Sequence, residues 1–291
     1  MALVEVTHLV KRFVRGRSLF GQGNTITAVN DVSFAIGAGD TFGLVGESGS
    51  GKTTPGRCML RLVEPTAGSV RFRETEILAL GPGPLRALRR DMQIMFQDPY
   101  SSLNPRMRAR QIVEEPLAVH AVGSASDRAG RARELLQLVG LSPGQQEHYP
   151  HQFSGGQRQR INLARALALN PCFLILDEPV SALDVSIQGQ IVNLLLDLQQ
   201  RLSLTYLFIA HDLRLVRQVC NRVAVMYRGA IVEMGPTPSI FSEAVHPHTR
   251  ALLSAIPQID PDAPRHRMAF DPEIAAPVAL REVRRGHWAA V

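Results

Sequence analysis

The sequence predicts an α/β fold: a mostly parallel sheet, an antiparallel β subdomain ahead of it and an inserted helical subdomain. Three patterns carry this. A short apolar run, Thr41-Phe42-Gly43-Leu44-Val45, feeds directly into Gly46-Glu47-Ser48-Gly49-Ser50-Gly51-Lys52-Thr53, a complete G-x-x-x-x-G-K-[ST] loop. From residue 172 onward apolar strands alternate with segments of helical spacing, the pattern of a parallel sheet with crossover helices. Between these two regions, residues from about 98 to 156 have helical periodicity and read as an insertion.

Taken in order, residues 2–8 and 25–36 read as strands, separated by a Gly/Arg-rich loop at 15–23. Residues 41–45 form a buried strand, and a helix follows from near Lys52 to about Leu62. Pro65-Thr66-Ala67-Gly68 turns the chain into a strand at 69–73, and residues 92–96 are a further buried strand. Helices are predicted over 109–119 and 127–139, with an N-cap inside Gly123-Ser124-Ala125-Ser126-Asp127. A helix at 157–169 stops at Asn170-Pro171. Strand 172–177, helix 187–202, strand 204–210, helix 212–219 and strand 222–227 come next. Arg228-Gly229 is a hairpin turn into 230–234. The last thirty-odd residues, rich in Pro and Asp, lack a period and are expected to be extended or loosely packed.

The loop at 46–53 predicts a P-loop NTPase core. Gly46, Gly49 and Gly51 allow the backbone to turn and approach phosphate oxygens with no Cβ in the way. Glu47, Ser48 and Ser50 supply the intervening backbone N–H groups, and the helix that follows adds its positive end. Lys52 is placed to reach the β- and γ-phosphates. The hydroxyl of Thr53 is placed to ligate Mg²⁺, with Thr54 beside it. Arg outnumbers Lys 30 to 2 in this chain, yet this position is Lys, because a compact ammonium on a flexible stem is not replaced by a planar guanidinium.

Two further features sit at strand ends. Leu174-Ile175-Leu176-Asp177-Glu178 is an apolar strand ending in two carboxylates. Asp177 is expected to hold Mg²⁺ through water, and Glu178 to orient or deprotonate an attacking water. His211 follows Tyr206-Leu207-Phe208-Ile209-Ala210, the end of the next apolar strand. A third feature, Phe153-Ser154-Gly155-Gly156-Gln157, precedes a helix, with Ser154 as a suitable N-cap and free N–H groups suited to an anion.

A phosphate loop, then Ser154-Gly155-Gly156-Gln157, then an apolar strand ending in Asp177-Glu178 resembles the ATP-binding-cassette (ABC) family, over residues 2–256. The resemblance implies that ATP is sandwiched between the phosphate loop of one subunit and the Ser-Gly-Gly-Gln of another. It implies contact of Ser154 and Gly156 with the γ-phosphate across that dimer, and makes His211 the switch histidine that positions Glu178. Gln97 matches the loop that couples nucleotide state to the transporter and also ligates the metal. Asp184 matches the loop that crosses the dimer. Phe13 is the first candidate to stack on adenine and Phe20 the second. Phe153 stands where Leu is more usual. Pro55, where Leu is more common, is expected to shift the start of the helix and weaken nucleotide binding.

The wording narrows the resemblance to the dipeptide/oligopeptide importer subfamily. It is carried by Gln97-Asp98-Pro99-Tyr100-Ser101-Ser102-Leu103-Asn104-Pro105-Arg106, by Tyr149-Pro150-His151-Gln152-Phe153, and by the run Glu178-Pro179-Val180-Ser181-Ala182-Leu183-Asp184-Val185-Ser186-Ile187-Gln188. Val232-Glu233-Met234-Gly235-Pro236 and His246-Pro247-His248-Thr249-Arg250-Ala251-Leu252-Leu253 are similar to its C-terminal extension. The implied organisation is an ATP-binding domain over 1–239, with its helical subdomain at about 98–163, and an extension and tail over 240–291. ATP and Mg²⁺ are the implied cofactors. Members often carry a cysteine cluster after the extension. Here Cys58, Cys172 and Cys220 are the three cysteines and none follows, so no iron–sulfur cluster is expected. His246 and His248 flank Pro247, which suits a turn better than a metal site.

Bulk composition agrees. With 45% hydrophobic residues, 291 residues build a full core. Residues 257–291 hold five Arg (265, 267, 281, 284, 285) and five acids (260, 262, 271, 273, 282), so the net charge of +6 lies in the body of the chain. No charged-then-apolar leader opens the chain, and no uninterrupted apolar run reaches the ~18 residues of a membrane span. The expectation is a peripheral subunit on the cytoplasmic face of the inner membrane. Its expected partners are two permease subunits, a second ABC ATPase chain (a heterodimer favoured over a homodimer) and, indirectly, an extracytoplasmic solute-binding protein. No nucleic acid is expected: cassette ATPases acting on ribosomes usually carry two cassettes, and this chain has one phosphate loop. A stand-alone P-loop kinase leaves Ser154–Gln157 and His211 unexplained. Peptide, nickel, sugar and glutathione uptake stay open, with peptide favoured by the subfamily wording.

Overall fold

The computed structural model of the chain describes residues 2–15, 24–256, 268 and 279–291. In chain order the strands are β1 (Ala2–Arg15), β2 (Asn24–Gly37), β3 (Thr41–Val45), β4 (Ala67–Phe72), β5 (Thr75–Glu76), β6 (Met92–Met95), β7 (Phe173–Asp177), β8 (Thr205–Ala210), β9 (Arg222–Tyr227), β10 (Ala230–Pro236), β11 (Arg281–Arg284) and β12 (His287–Ala289). The helices are α1 (Thr53–Met59), α2 (Pro82–Leu88), α3 (Pro99–Ser102), α4 (Ala109–Val119), α5 (Ala125–Leu138), α6 (Gly155–Leu167), α7 (Val185–Leu202), α8 (Leu213–Val219), α9 (Thr237–Glu243) and α10 (Pro247–Ser254). The chain divides into two compact units, Met1–Leu80 with Leu207–Val291, and Gly81–Tyr206.

The first unit contains the expected antiparallel sheet, in the order β2-β1-β4-β5, with Val6 opposite Phe34 on one side and Val70 on the other. Along β1 alternation buries Val4 and Val6, and a register shift then brings in Leu9, while Phe13 and Val14 near its far end are exposed. The unit also holds strands in the order β11-β12-β10-β9-β3-β8, of which Leu207–Ala210 of β8 belong to it. β3 and β9 run parallel, with Gly43 opposite Val223. Every residue of β3 is buried, as expected of a strand covered on both faces. Arg228 and Gly229 both have positive φ, 47° and 84°, and make the predicted tight turn between β9 and β10.

In the second unit β6 and β7 are parallel, with Ile94 opposite Ile175. α4, α5 and α6 pack on one another through apolar faces that bury Ile112, Val113 and Leu117, then Leu135 and Leu136, then Ile161 and Leu163. Ser124 is the N-cap of α5: its Oγ accepts from the Asp127 N–H, and Asp127 reciprocates at the Ser124 N–H.

Three expectations need correction, and one helix is not anticipated. α1 ends at Met59, not Leu62, because Arg61 turns to a φ of +49° and its guanidinium donates to the Leu80 carbonyl at 2.6 Å. α2 is an additional helix that the sequence pattern does not signal. Pro82 falls in its first helical turn, where the missing N–H costs nothing. Pro247 likewise opens α10 rather than a turn. His246 is the N-cap, and its Nδ1 accepts from the His248 N–H at 3.1 Å. Finally, residues 281–289 are not loose: β12 pairs with β10 and β11 with β12.

The anchor of that last hairpin is Glu233, which has no exposed surface. Its Oε1 accepts from His287 Nε2 at 2.8 Å and from the Val245 N–H at 2.7 Å, and its Oε2 accepts from the His246 N–H at 3.1 Å. Burial pushes the neighbouring His248 imidazole down to about 4, so it is neutral at pH 7 and packs against Tyr227 as an aromatic ring.

Candidate functional site

The phosphate loop starts where β3 stops. Within it the Ser50 N–H donates to the Glu47 carbonyl at 3.1 Å and the Thr54 N–H to Gly51 at 3.0 Å. The β9–β10 turn clamps it from outside, with the Gly229 N–H on the Ser50 carbonyl at 2.9 Å. Gly51 has φ +96°, and a Cβ there would lie 2.1 Å from the Ala28 carbonyl oxygen, so neither its backbone nor the space beside it admits a side chain. Lys52 is 5% exposed, and its Nζ lies 3.4 Å from the Glu47 carbonyl, drawn back over its own loop. The Ser50 hydroxyl is buried without a hydrogen-bond partner among the described residues. A turn with no room for a Cβ, a buried ammonium and an unsatisfied hydroxyl fit a phosphate group. Pro55 is the third residue of α1, still among the positions whose N–H has no intrahelical acceptor. The helix starts at Thr53, with Lys52 as its N-cap residue already in helical conformation, so the start near Lys52 holds with Pro55 in place.

The other unit carries the acid pair. β7 is buried throughout and ends in Asp177, itself fully buried, while Glu178 is 8% exposed. Glu178 adopts φ +48°, a left-handed conformation that costs a non-glycine residue about 1–3 kcal/mol and that clusters at functional sites. The turn is held by the Ser181 N–H and hydroxyl, both donating to the Glu178 carbonyl. Gln97 Nε2 donates to Glu178 Oε2 at 2.8 Å. Two residues assigned separately from sequence are thus in direct contact. No local pattern could have revealed it, since they stand 81 positions apart.

Ser154 caps α6 as expected. Its Oγ accepts from the Gln157 N–H at 3.4 Å and its own N–H donates to Gln157 Oε1 at 3.0 Å. Ser154 is exposed, Gly155 half-buried and Gly156 buried. A Cβ on Gly156 would meet Ile187 Cγ2 at 2.5 Å, so this glycine also lets α6 pack against the first turn of α7. Phe153, in place of the more usual Leu, is 4% exposed and sits 5.9 Å from the His148 ring. Gln159 donates to the Pro179 carbonyl, and Gln188 of α7 donates to Val180 at 3.2 Å and Leu183 at 3.0 Å. The Ser-Gly-Gly-Gln helix, the turn after Glu178 and α7 are therefore one hydrogen-bonded block. Asp184 is the exposed N-cap residue of α7, next to Val185, which is 78% exposed.

That block makes a prediction. Gly156→Ala is expected to destabilise the protein by about 1–3 kcal/mol through overpacking. The same substitution in an Ile187→Ala background is expected to cost less than about 0.5 kcal/mol, a coupling readable from thermal midpoints in a double-mutant cycle. Equal losses in both backgrounds would show that the contact with Ile187 is not what excludes a side chain.

His211 is exposed and follows β8 directly, with Asp212 behind it capping α8 through the Arg214 N–H at 2.9 Å. Phe13 is 40% exposed, with the Lys11 ammonium 4.7 Å above its ring. Phe20 lies outside the described residues.

Residues 29–181 match the family described as ABC transporter, more than half of the chain. The chain belongs to the ABC transporter family. Residues 232–276 also match the oligopeptide/dipeptide transporter C-terminal region. A Brucella ovis protein named for peptide import and ATP binding is 48% identical over 290 residues, covering 91% of this chain and 92% of that one. The glutathione import ATP-binding protein GsiA of Escherichia coli K12 is 49% identical over 301 residues, covering 99% of this chain and 48% of that protein. The ATP-binding cassette MJ0796, solved as a dimer in a post-hydrolysis state bound to ADP and Pi, superposes with a TM-score of 0.72 at 31% identity, over 80% of this chain and 98% of that one. This ABC protein is accordingly an ATPase that binds ATP on a P-loop NTPase fold. Among the described residues, no helix is long and apolar enough to cross a membrane.

Proposed function

We propose that the chain is the ATP-hydrolysing subunit of an importer of di- and oligopeptides or similar small solutes. The observation that carries this reading is the oligopeptide/dipeptide transporter region at 232–276, attached to a complete cassette. The name of the Brucella relative supports it. The likeness to GsiA keeps glutathione, itself a small peptide, within the same solute class. We place the ATP-binding domain at 1–239, its helical subdomain at about 98–163 and the extension and tail at 240–291.

In this reading the N–H groups of Gly46 to Thr54 and the Lys52 ammonium bind the ATP phosphates, and Phe13 stacks on adenine. Thr53, Asp177 and Gln97 supply the hard oxygen donors that suit Mg²⁺, which would neutralise charge on the phosphates. Gln97 contacts Glu178 through its amide nitrogen, which leaves Oε1 for a cation. Glu178 accepts a proton from the attacking water or orients it, with His211 holding the reacting group in place. Ser154, Gly155, Gly156 and Gln157 of a second cassette chain complete the site from across the dimer, with Asp184 at the crossing. Most of the rate enhancement then comes from positioning and charge neutralisation. No iron–sulfur cluster is part of the design, since no cysteine follows Cys220.

The partners are two permease subunits and a second cassette chain, a different one in preference to a copy. A solute-binding protein acts on the far side of the membrane, and this subunit sits peripherally on the cytoplasmic face. Nucleic acid is not a partner. The test is an affinity pull-down of Glu178→Gln with ATP from detergent-solubilised membranes. Two polytopic permeases and a second cassette chain are expected. Recovery of soluble partners or ribosomes alone would sink the importer reading and leave the ATP chemistry intact.

A further inference from the structure

The second unit holds a cavity of about 220 Å³ among the ends of α4, α5 and α6, lined by none of the residues proposed above for ATP binding or hydrolysis. Leu117, Val122 and Leu169 make its apolar lining, and Arg90, Arg128 and Arg131 bring three guanidinium groups. The one carboxylate in the lining, Asp127, is committed to the cap of α5: its Oδ2 accepts from the Ser124 N–H at 2.9 Å and from the Ser124 hydroxyl at 2.7 Å. Within the lining three positive charges stand against one negative, and Glu134, outside the lining, pairs with Arg131.

The arginines hold donors in reserve. Arg131 Nη2 donates to Asn170 Oδ1 at 2.5 Å and Nη1 pairs with Glu134 at 3.3 Å, but its Nε is buried with no hydrogen-bond partner among the described residues. Arg128 gives Nη1 to the Gly123 carbonyl at 2.7 Å. A buried N–H left unmade on an arginine that lines a cationic cavity is a feature that needs a reason. The positive field also reaches His120, whose imidazole is held below its ordinary value by burial and by Arg86 and Arg90.

Arginine forks match the oxygens of phosphate, and several guanidiniums around one point suit an anion with three acceptors. The apolar lining suits a carbon skeleton attached to it. The volume falls below the ~300–1,000 Å³ of sites for drug-sized ligands, so the ligand is small. We propose that this cavity binds a small phosphate monoester through Arg90, Arg128 and Arg131, separately from the nucleotide site.

The test is calorimetry with glycerol 3-phosphate on the full chain carrying Lys52→Ala, so that the phosphate loop does not contribute. Saturable binding is expected, weakened roughly tenfold or more by Arg128→Gln or Arg131→Gln, the scale of losing a charge-assisted hydrogen bond. Should Arg131→Gln fail to fold, Arg90→Gln at an exposed position reads the same interaction. Absence of binding at millimolar probe overturns the proposal, and so does an affinity that the arginine variants leave unchanged. Sedimentation with phosphatidic acid vesicles separates the sources. Arginine-dependent retention on vesicles without binding of the soluble ester would assign the cavity to a lipid headgroup and overturn the metabolite reading.

Discussion

Glu178→Gln is expected to lower the rate of ATP hydrolysis by about 10²–10⁴-fold while leaving ATP affinity within a few-fold of the wild type, the range that general-base catalysis supplies. The substitution is nearly isosteric. It keeps the left-handed turn at residue 178 and the Ser181 bonds that hold it, because these involve the backbone carbonyl. What it removes is the carboxylate. The side-chain amide of Gln97 can still donate to the side-chain carbonyl oxygen that the substitution leaves at position 178, so the local structure survives and the loss is chemical. Hydrolysis is to be followed by phosphate release, binding by a fluorescent ATP analogue, and association by light scattering with and without ATP. The mutant is expected to accumulate as an ATP-bound two-chain species. Turnover at the wild-type rate would remove Glu178 from the chemistry. Gln97→Ala is the useful comparison: it leaves the carboxylate but removes the Gln97 hydrogen bond to its Oε2, and a smaller loss would separate holding Glu178 from acting through it.

The other large effect is expected at Gly51→Ala. A left-handed backbone costs a residue with a side chain about 1–3 kcal/mol. The added Cβ must also displace the Ala28 carbonyl oxygen, 2.1 Å away on β2. That atom belongs to a strand and cannot swing aside as a side-chain terminus can. The loop has to move instead, and it carries Lys52 and Thr53. The expected result is a lower thermal midpoint together with loss of ATP binding by at least about tenfold. Retained binding with only a lower midpoint would mean that the loop tolerates displacement. At Gly49, where nothing lies within 4 Å of a built Cβ, Ala meets the backbone penalty alone and is expected to be milder.

Much of the architecture is legible in the chain because it is written locally. The run 41–45 is apolar at nearly every position and is β3, buried throughout. Ser154 and Ser124 stand three residues ahead of Gln157 and Asp127, and both prove to be capping boxes. The phosphate loop declares itself by glycines at fixed spacing. What stayed hidden is long-range. The Gln97–Glu178 bond joins two loops with no periodicity between them. The need for glycine at 156 follows from Ile187 on another helix. Residues 281–284, Arg-Glu-Val-Arg, carry too much charge to read as a strand, and they become one because Glu233, a residue of β10, buries a hydrogen bond to His287. α2 is masked by two prolines whose position in the first turn makes them harmless.

The closing hairpin has a consequence for how this protein behaves in solution. β10 would otherwise present unpaired N–H and C=O groups along one side, a template on which a strand from another molecule can dock. β12 occupies that side through Glu233 and Met234, and the Ala290 N–H continues onto the Val232 carbonyl. The strand left outermost, β11, is four residues long, and three of them are charged, a poor surface for further stacking. The last turn of the chain therefore works as an aggregation guard. A shortened form ending before residue 279 keeps every residue proposed to bind nucleotide and exposes a sticky edge, so its loss from solution would say nothing about its chemistry.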